Sequence, residues 1–156
     1  MRGVDLPTEY EIVRADQIAE DRLRRLDDAL RQDVPGTDGW RWDPAGFHEE
    51  TFASPFFDAS TYLIAFERES GDDAGLVRVW NNPSGPRLGL IAVLPQHRRC
   101  GLARGLLARV LGVLAKRGKS DVWTEVDDRN IASISLLEAL GARRVGGSIE
   151  LVRIRN

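Results

Sequence analysis

Residues 87–111 read RLGLIAVLPQHRRCGLARGLLARVL, and the fold turns on where this stretch changes period. Its first eight residues are almost wholly apolar, which is how a strand buried on both faces reads. From Leu102 the apolar residues return every fourth position, at Leu106, Val110 and Leu114, with Ala103, Leu107 and Leu111 beside them. That spacing is one buried face of a helix. Between strand and helix, Arg98, Arg99 and Arg104 crowd around Gly101. A helix N-terminus carries partial positive charge and disfavours cations. Three arginines there ask for an anion, and the first amides of a helix, lacking intrahelical partners, bind anions readily. The alternative is a surface arginine cluster beside a flexible glycine.

Upstream, residues 9–15 read as a first strand, and Asp16 as an N-cap for a helix over 17–34 with Ile18, Leu23, Leu26 and Leu30 at helical spacing. PGTDG (35–39) is a turn cluster. Asp43 followed by Pro44 starts a second, short helix. Residues 60–69 and 75–82 are strands joined as a hairpin through SGDDA, and NPSGP turns the chain into the strand at 87–94, whose apolar run makes it central. Downstream, 121–127 is a short strand, Asn130–Leu140 a helix closed by Gly141, and 146–155 a last alternating strand. Gly118 closes the helix that starts at Leu102. Tight turns between consecutive strands pair them antiparallel, whereas strand 87–94, its helix and strand 121–127 demand a parallel crossover. The expected architecture is α/β: one domain over residues 1–156, a mixed, mostly antiparallel sheet with a central parallel unit and helices on both faces.

At 156 residues, with 42% hydrophobic and 29% charged side chains, the chain has the composition of an ordinary globular domain. The single cysteine, Cys100, permits no intrachain disulfide, and no histidine or cysteine spacing suits a metal. No apolar run is long enough to span a bilayer, and MRGVDLPTEYEIV lacks the apolar core of a signal peptide. A cytoplasmic protein without a membrane partner is the expectation. Charge is uneven: residues 1–60 hold 14 acidic and 7 basic side chains, residues 61–156 hold 10 and 15. Gln96–Ser120 has seven Arg or Lys and no acid. A local basic zone in an overall acidic chain disfavours nucleic-acid binding and suits a small polyanion held at one place.

Two familiar phosphate loops are excluded. No Gly-Lys-Ser/Thr opens a helix, and GLARGL does not fit G-x-G-x-x-G. What stands here is Arg98-x-x-Gly101-x-Ala103, whose small residues let the backbone approach a bulky diphosphate. IAVLPQHRRCGLARGLLARVL (91–111) resembles the acetyl-coenzyme A signature of the GNAT N-acetyltransferase superfamily, and TEVDDRNIASISLLEALGA (124–142) resembles the segment downstream of it in that family. The resemblance implies that acetyl-CoA is the acyl donor and an amine the acceptor, with direct transfer and no covalent enzyme intermediate. It implies that the stretch Ile91, Ala92 and Val93 pairs with the pantetheine arm through the backbone of Ile91 and Val93. It implies further that the amides of Arg98, Arg99, Cys100, Gly101, Leu102 and Ala103 cradle the pyrophosphate, with charge from Arg104, and that Asn130 hydrogen-bonds the arm. Glu125 falls where relatives carry a general base. Homodimers are common in the family, and no residue here identifies an interface.

Alternation in DVWTEVD puts Trp123, Glu125 and Asp127 on one face, so a Glu125 beside Trp123 is expected to be partly desolvated, with a raised pKa. The competing reading is a surface ion pair with an arginine. Where the family often carries a tyrosine that protonates the leaving thiolate stands Leu137, which cannot donate. Asn130, Ser133 and Leu137 share one helical face, and Ser133, or a water it holds, is the candidate replacement; otherwise it is a small residue allowing close packing. Cys100, His97 and His48 are assigned no catalytic role, the histidines being read as surface or capping residues. Trp40, Trp42, Phe47, Phe52, Phe56 and Phe57 cluster in the acidic N-terminal third, as core or as the wall of a site for a cationic small molecule or peptide, with Glu49, Glu50, Asp127 and Asp128 as candidate acceptor contacts. A non-catalytic acyl-CoA-binding module is the alternative to an enzyme.

Overall fold

The structure describes residues 5–146 and the backbone of residues 148–152. In this computed structural model the elements are β1 (Tyr10–Arg14), α1 (Glu20–Arg31), α2 (Pro44–Glu50), β2 (Tyr62–Glu67), β3 (Asp73–Asn82), β4 (Gly85–Val93), α3 (Leu102–Lys116), β5 (Asp121–Thr124), α4 (Ile131–Ala139), β6 (Ala142–Val145) and β7 (Ser148–Val152). The strands form one sheet in the order β1-β2-β3-β4-β5-β7-β6, with β4 in the middle as its apolar run requires. Among the described residues only β4 and β5 pair in parallel; every other neighbour is antiparallel.

Alternation along the strands sends side chains to two cores. Val77, Val79, Leu88, Ile91 and Val93 face α3 and α4, where Leu106, Leu107, Val110, Leu114 and Leu137 are fully buried. Ile64, Leu76 and Leu90 face α1 and α2, against Leu23, Leu26, Leu30 and Phe47. Each fully buried leucine or valine stabilises the fold by roughly 1.5–3 kcal/mol. Asp43 caps α2 as expected, accepting a hydrogen bond from the Gly46 amide at 3.1 Å, with Pro44 at the first helical position.

Two irregularities of β4 open a gap in the sheet. Its register against β3 shifts between Arg78 and Val79, so Gly89 bulges and Leu88 and Ile91 face the same core. A Cβ on Gly89 would come within 3.0 Å of the Trp80 indole nitrogen, which packs over it. The parallel seam with β5 is only two residue pairs long, Arg87↔Trp123 and Leu88↔Thr124. Beyond the bulge, the β4 edge from Gly89 to Val93 has no strand partner on that side among the described residues.

Three expectations need correction. Asp16 does not cap α1: Ala15–Gln17 form a separate 3₁₀ turn, Asp16 pairs with Arg14 at 3.2 Å, and α1 starts after Ala19 with Glu20 and Asp21 supplying charge in its first turn. The strand expected over 121–127 stops at Thr124, because β4 has parted from it. The last strand expected over 146–155 corresponds to β7, and a strand that was not expected, β6, precedes it as the other arm of a hairpin in which Arg144 pairs with Ile149, so the described residues form seven strands rather than six. Residues 147 and 153–155 of that expected strand, and residues 1–4 of the N-terminal reading, lie outside the described residues. Among the described residues no helix is long and apolar enough to cross a membrane.

Candidate active site: a trough across the parted strands

Where β4 leaves β5, three adjoining cavities open. The inner groove, of about 480 Å³, lies between the β4 edge at Ile91–Val93, the start of α3 at Arg98, Arg99 and Ala103, and α4 at Asn130 and Ser133. A middle cavity of about 660 Å³ shares Ile91, Asn130 and Ser133 with it and adds Gly89, Glu125 and Leu137. An outer cavity of about 870 Å³ continues from Arg31, Gly36, Thr37 and Gly89 to Trp40, Trp42, Glu49, Glu50, Arg78 and Trp80. Gly36 roofs the middle cavity at φ +95°, close enough to the β5–α4 loop that a Cβ on it would meet Asp127 Oδ2 at 2.8 Å.

The loop before α3 is built to expose amides. Arg99 and Gly101 both take positive φ, +64° and +82°. Gly101 is the N-cap, and the first helical bond runs from the Gly105 amide to the Gly101 carbonyl at 3.0 Å. Amides ahead of Gly105 therefore lack a helical acceptor, and alternating backbone hand of this kind gathers N–H groups into anion-binding concavities. The three arginines are not equivalent. Arg98 donates from Nε to the Val93 carbonyl at 2.9 Å and stands 3.6 Å from Asp33, tying the end of β4 to the α1–α2 loop. Arg99 and Arg104 make no ion pair among the described residues, and only Arg99 of these two borders the groove. The Leu102 side chain is buried in the core, so only its amide faces the loop. Cys100 is exposed, its thiol donating to the His97 carbonyl at 3.1 Å.

Around the middle cavity stand Glu125, Asn130, Ser133 and Leu137. Asn130 caps α4, its Oδ1 accepting the Ser133 amide at 3.1 Å, which leaves its Nδ2 without a partner among the described residues. The Ser133 hydroxyl has none either, and Ser133 borders both the inner groove and the middle cavity. Leu137 is fully buried. The expected desolvation of Glu125 is not met. Its side chain is 71% exposed, 3.5 Å from Arg87, because β5 ends one residue earlier.

Of the acceptor candidates, Asp127 borders the middle cavity and Glu49 and Glu50 the outer one. Hydrogen bonds from the Arg129 side chain and amide hold the Asp127 carboxyl at about 2. Asp128 stands 3.9 Å from Arg144 and borders none of the three cavities. His97 is buried rather than superficial, bonded through Nδ1 to the Tyr10 hydroxyl at 2.8 Å, whereas His48 is exposed beside Glu20. Phe47 is core; Trp40, Trp42 and Phe56 line the outer cavity. Sequence reasoning missed the charged floor of that cavity, made by Asp27, Arg31 and Arg78. The available signal was a lone arginine inside the apolar strand GLVRVWNN. Among the described residues no group of three or more His, Cys, Asp or Glu could hold a metal.

The strand, amide loop and helix that frame the trough fall inside one known profile: that of the acetyltransferase (GNAT) family, which matches residues 23–142. The chain belongs to that family. This GNAT chain is 33% identical over 123 residues to the mycothiol acetyltransferase of Salinispora arenicola, covering 72% of the chain and 38% of the relative. It is 47% identical over 51 residues to the ribosomal protein bS18-alanine N-acetyltransferase of Escherichia coli K12, covering 33% of the chain and 34% of the relative. The GNAT chain thus spans little more than a third of the curated relatives it matches. A solved acetyltransferase-like protein of Salmonella typhimurium, with its cofactor acetyl-CoA, shares the fold at a TM-score of 0.66, with 17% identity over 96% of both chains.

Proposed function

We propose that this GNAT chain is an acetyl-CoA-dependent N-acetyltransferase, one domain over residues 1–156, that moves the acetyl group directly to a primary amine of a small molecule or peptide. The carrying observation is the parting of β4 from β5 beside the open start of α3. The edge at Ile91–Val93, which lacks a strand partner among the described residues although its Val93 carbonyl accepts from Arg98 Nε, suits an extended arm carrying amides, as a sheet edge suits a guest strand. The amides from Arg99 to Ala103 suit a diphosphate, the Arg98 amide donating instead to the Pro95 carbonyl at 3.4 Å; Arg99 and Arg104 add charge, and Asn130 Nδ2 is free to donate to the arm. Acetyl-CoA supplies the thioester to be attacked.

An ammonium group has no lone pair, so the acceptor must lose a proton before attack. Glu125 borders the middle cavity and takes that proton, directly or through water, since its exposed carboxylate is reached by solvent. As the nitrogen bonds to the acetyl carbon, the carbon–sulfur bond breaks and the thiolate needs a proton. Leu137 cannot give one. Ser133, at the junction of groove and cavity, relays it: its hydroxyl hands a proton to the sulfur as it takes one from a water, or it holds the water that protonates the sulfur directly.

Acetyl-CoA at 100-fold over its Kd should raise the unfolding free energy by about 2.7 kcal/mol. Arg99→Glu, and Arg98→Glu with Arg99→Glu, should weaken binding about tenfold or more while the far-UV spectrum is kept. Unchanged affinity removes the pyrophosphate assignment. Thiol release with an amine panel then decides between enzyme and binding module. Tight binding without release from any amine selects the acyl-CoA-binding module, the reading that Leu137 favours.

A further inference from the structure

The floor of the outer cavity holds more positive charge than the chain neutralises. Arg78, 1% exposed, rises from the middle of β3 and forms part of the cavity wall. Its guanidinium stacks 4.1 Å above the Trp80 ring and 5.3 Å from that of Trp42, so aromatic faces fix it and keep it dry. Arg31, on α1, stands beside it over Trp40 and Trp42, at the junction of outer and middle cavities.

Both guanidinium groups depend on one buried carboxylate, Asp27, and it is fully subscribed. Its Oδ1 accepts from Arg31 Nε at 2.5 Å and from Trp42 Nε1 at 2.7 Å. Its Oδ2 accepts from the Tyr62 hydroxyl at 3.2 Å and from Arg78 Nη1 at 3.3 Å. Arg78 Nη2 reaches only neutral oxygens, the Thr51 hydroxyl at 2.9 Å and the Glu50 carbonyl at 3.3 Å. Arg78 Nε is buried with no hydrogen-bond partner among the described residues. Arg31 hydrogen-bonds only through Nε among the described residues. Two guanidinium groups thus share one carboxylate, and Arg31, whose side chain keeps 18% of its exposure, is the half-paired cation that an anion or water can meet.

We propose that Arg31 and Arg78 form a subsite for a carboxylate of the acceptor, so that the molecule acetylated is a primary amine that also carries a carboxylate, an amino acid or short peptide rather than a plain polyamine. The proposal rests on the N-acetyltransferase reading and narrows its acceptor. A guanidinium presents paired donors that match the two oxygens of a carboxylate, and Arg31, open at its Nη end, is the principal contact. Glu49 and Glu50 lie exposed on the same outer cavity, placed for a second cationic group of the acceptor, whereas the reacting amine lies toward Glu125 in the adjoining middle cavity.

The test uses L-alanine, L-lysine, L-phenylalanine and L-alanyl-L-alanine, each beside its carboxamide, with putrescine as a carboxylate-free diamine. Thiol release should favour the carboxylate of at least one pair about tenfold or more in kcat/KM, chiefly through KM. Arg31→Gln, which leaves Asp27 its bonds to Trp42, Tyr62 and Arg78, should reduce that preference to about twofold or less, with Arg31→Lys intermediate. Its thermal stabilisation by acetyl-CoA should equal that of the wild type. Carboxamides or putrescine turned over as well as the carboxylates would overturn the subsite and leave the N-acetyltransferase reading standing. Absence of turnover with every amine would remove the enzymatic reading, and tryptophan fluorescence then decides the subsite alone. Quenching by a carboxylate and not by its carboxamide, lost in Arg31→Gln, supports it, and equal or absent quenching across all pairs overturns it.

Discussion

Ser133 occupies the position from which one hydroxyl reaches two cavities, with no internal partner among the described residues to hold it back. If it protonates the departing thiolate, Ser133→Ala should lower kcat about tenfold or more at an unchanged KM for acetyl-CoA, in steady-state thiol release. An unchanged kcat assigns that proton to bulk water. At this scale the sequence was informative where helical spacing alone decides: Asn130, Ser133 and Leu137 do share a face, and that face does line the trough. It misled at Glu125. Trp123 and Glu125 are both exposed on either side of buried Thr124, as alternation has it, but the expected desolvation fails: Glu125 is open to solvent beside Arg87. It was silent on Arg78, since a cation in an apolar strand reads as a local irregularity until Asp27, fifty residues away and on another element, is brought against it.

Elements were the most legible level. The period change near Leu102, the Asp43–Pro44 start of α2 and the glycines that close α3 and α4 are local signals, and each element forms where its own residues specify. Gly101 tests how much the start of α3 depends on backbone hand. A Cβ there would touch nothing within 4 Å, so Gly101→Ala isolates the cost of φ +82°. Loss of about 1 kcal/mol in urea unfolding is expected, accompanied by weaker acetyl-CoA stabilisation in thermal shift as the exposed amides turn away. A neutral effect on both would show that the loop carries its shape without the glycine. The bulge at Gly89 and the C-terminal hairpin were not legible, because each is fixed by a partner strand rather than by its own sequence.

At the scale of the whole molecule, the mixed sheet and its single parallel seam came from connection lengths; β4 lies in the middle, yet the strands covered on both faces in unbroken runs are β2, at 62–65, and β3, at 74–79. Tertiary contact also makes the stability of the fold sensitive to alkali. Tyr10, on an edge strand, bonds His97 from the loop before α3, and burial above all, with Cys100 and Glu67 nearby, pushes its hydroxyl up to about 12. A pKa raised on folding means the unfolded chain gives up that proton more readily, so the contribution is intact below pH 10 and lost as pH rises from about 10 to 12. Urea midpoints between pH 9 and 11 should fall for the wild type and fall less steeply for Tyr10→Phe. Parallel curves would remove Tyr10 from the alkaline transition.

The shortness of the β4–β5 seam has a mechanical consequence. Four strands lie on one side of it and three on the other, and only two rungs of backbone bonding join the halves directly. An extended molecule lying along the bare flank of β4 would serve as mortar in that crack, so that occupancy and the cohesion of the sheet become a single variable. On the proposed reading, the shortest seam of the sheet among the described residues is also its berth.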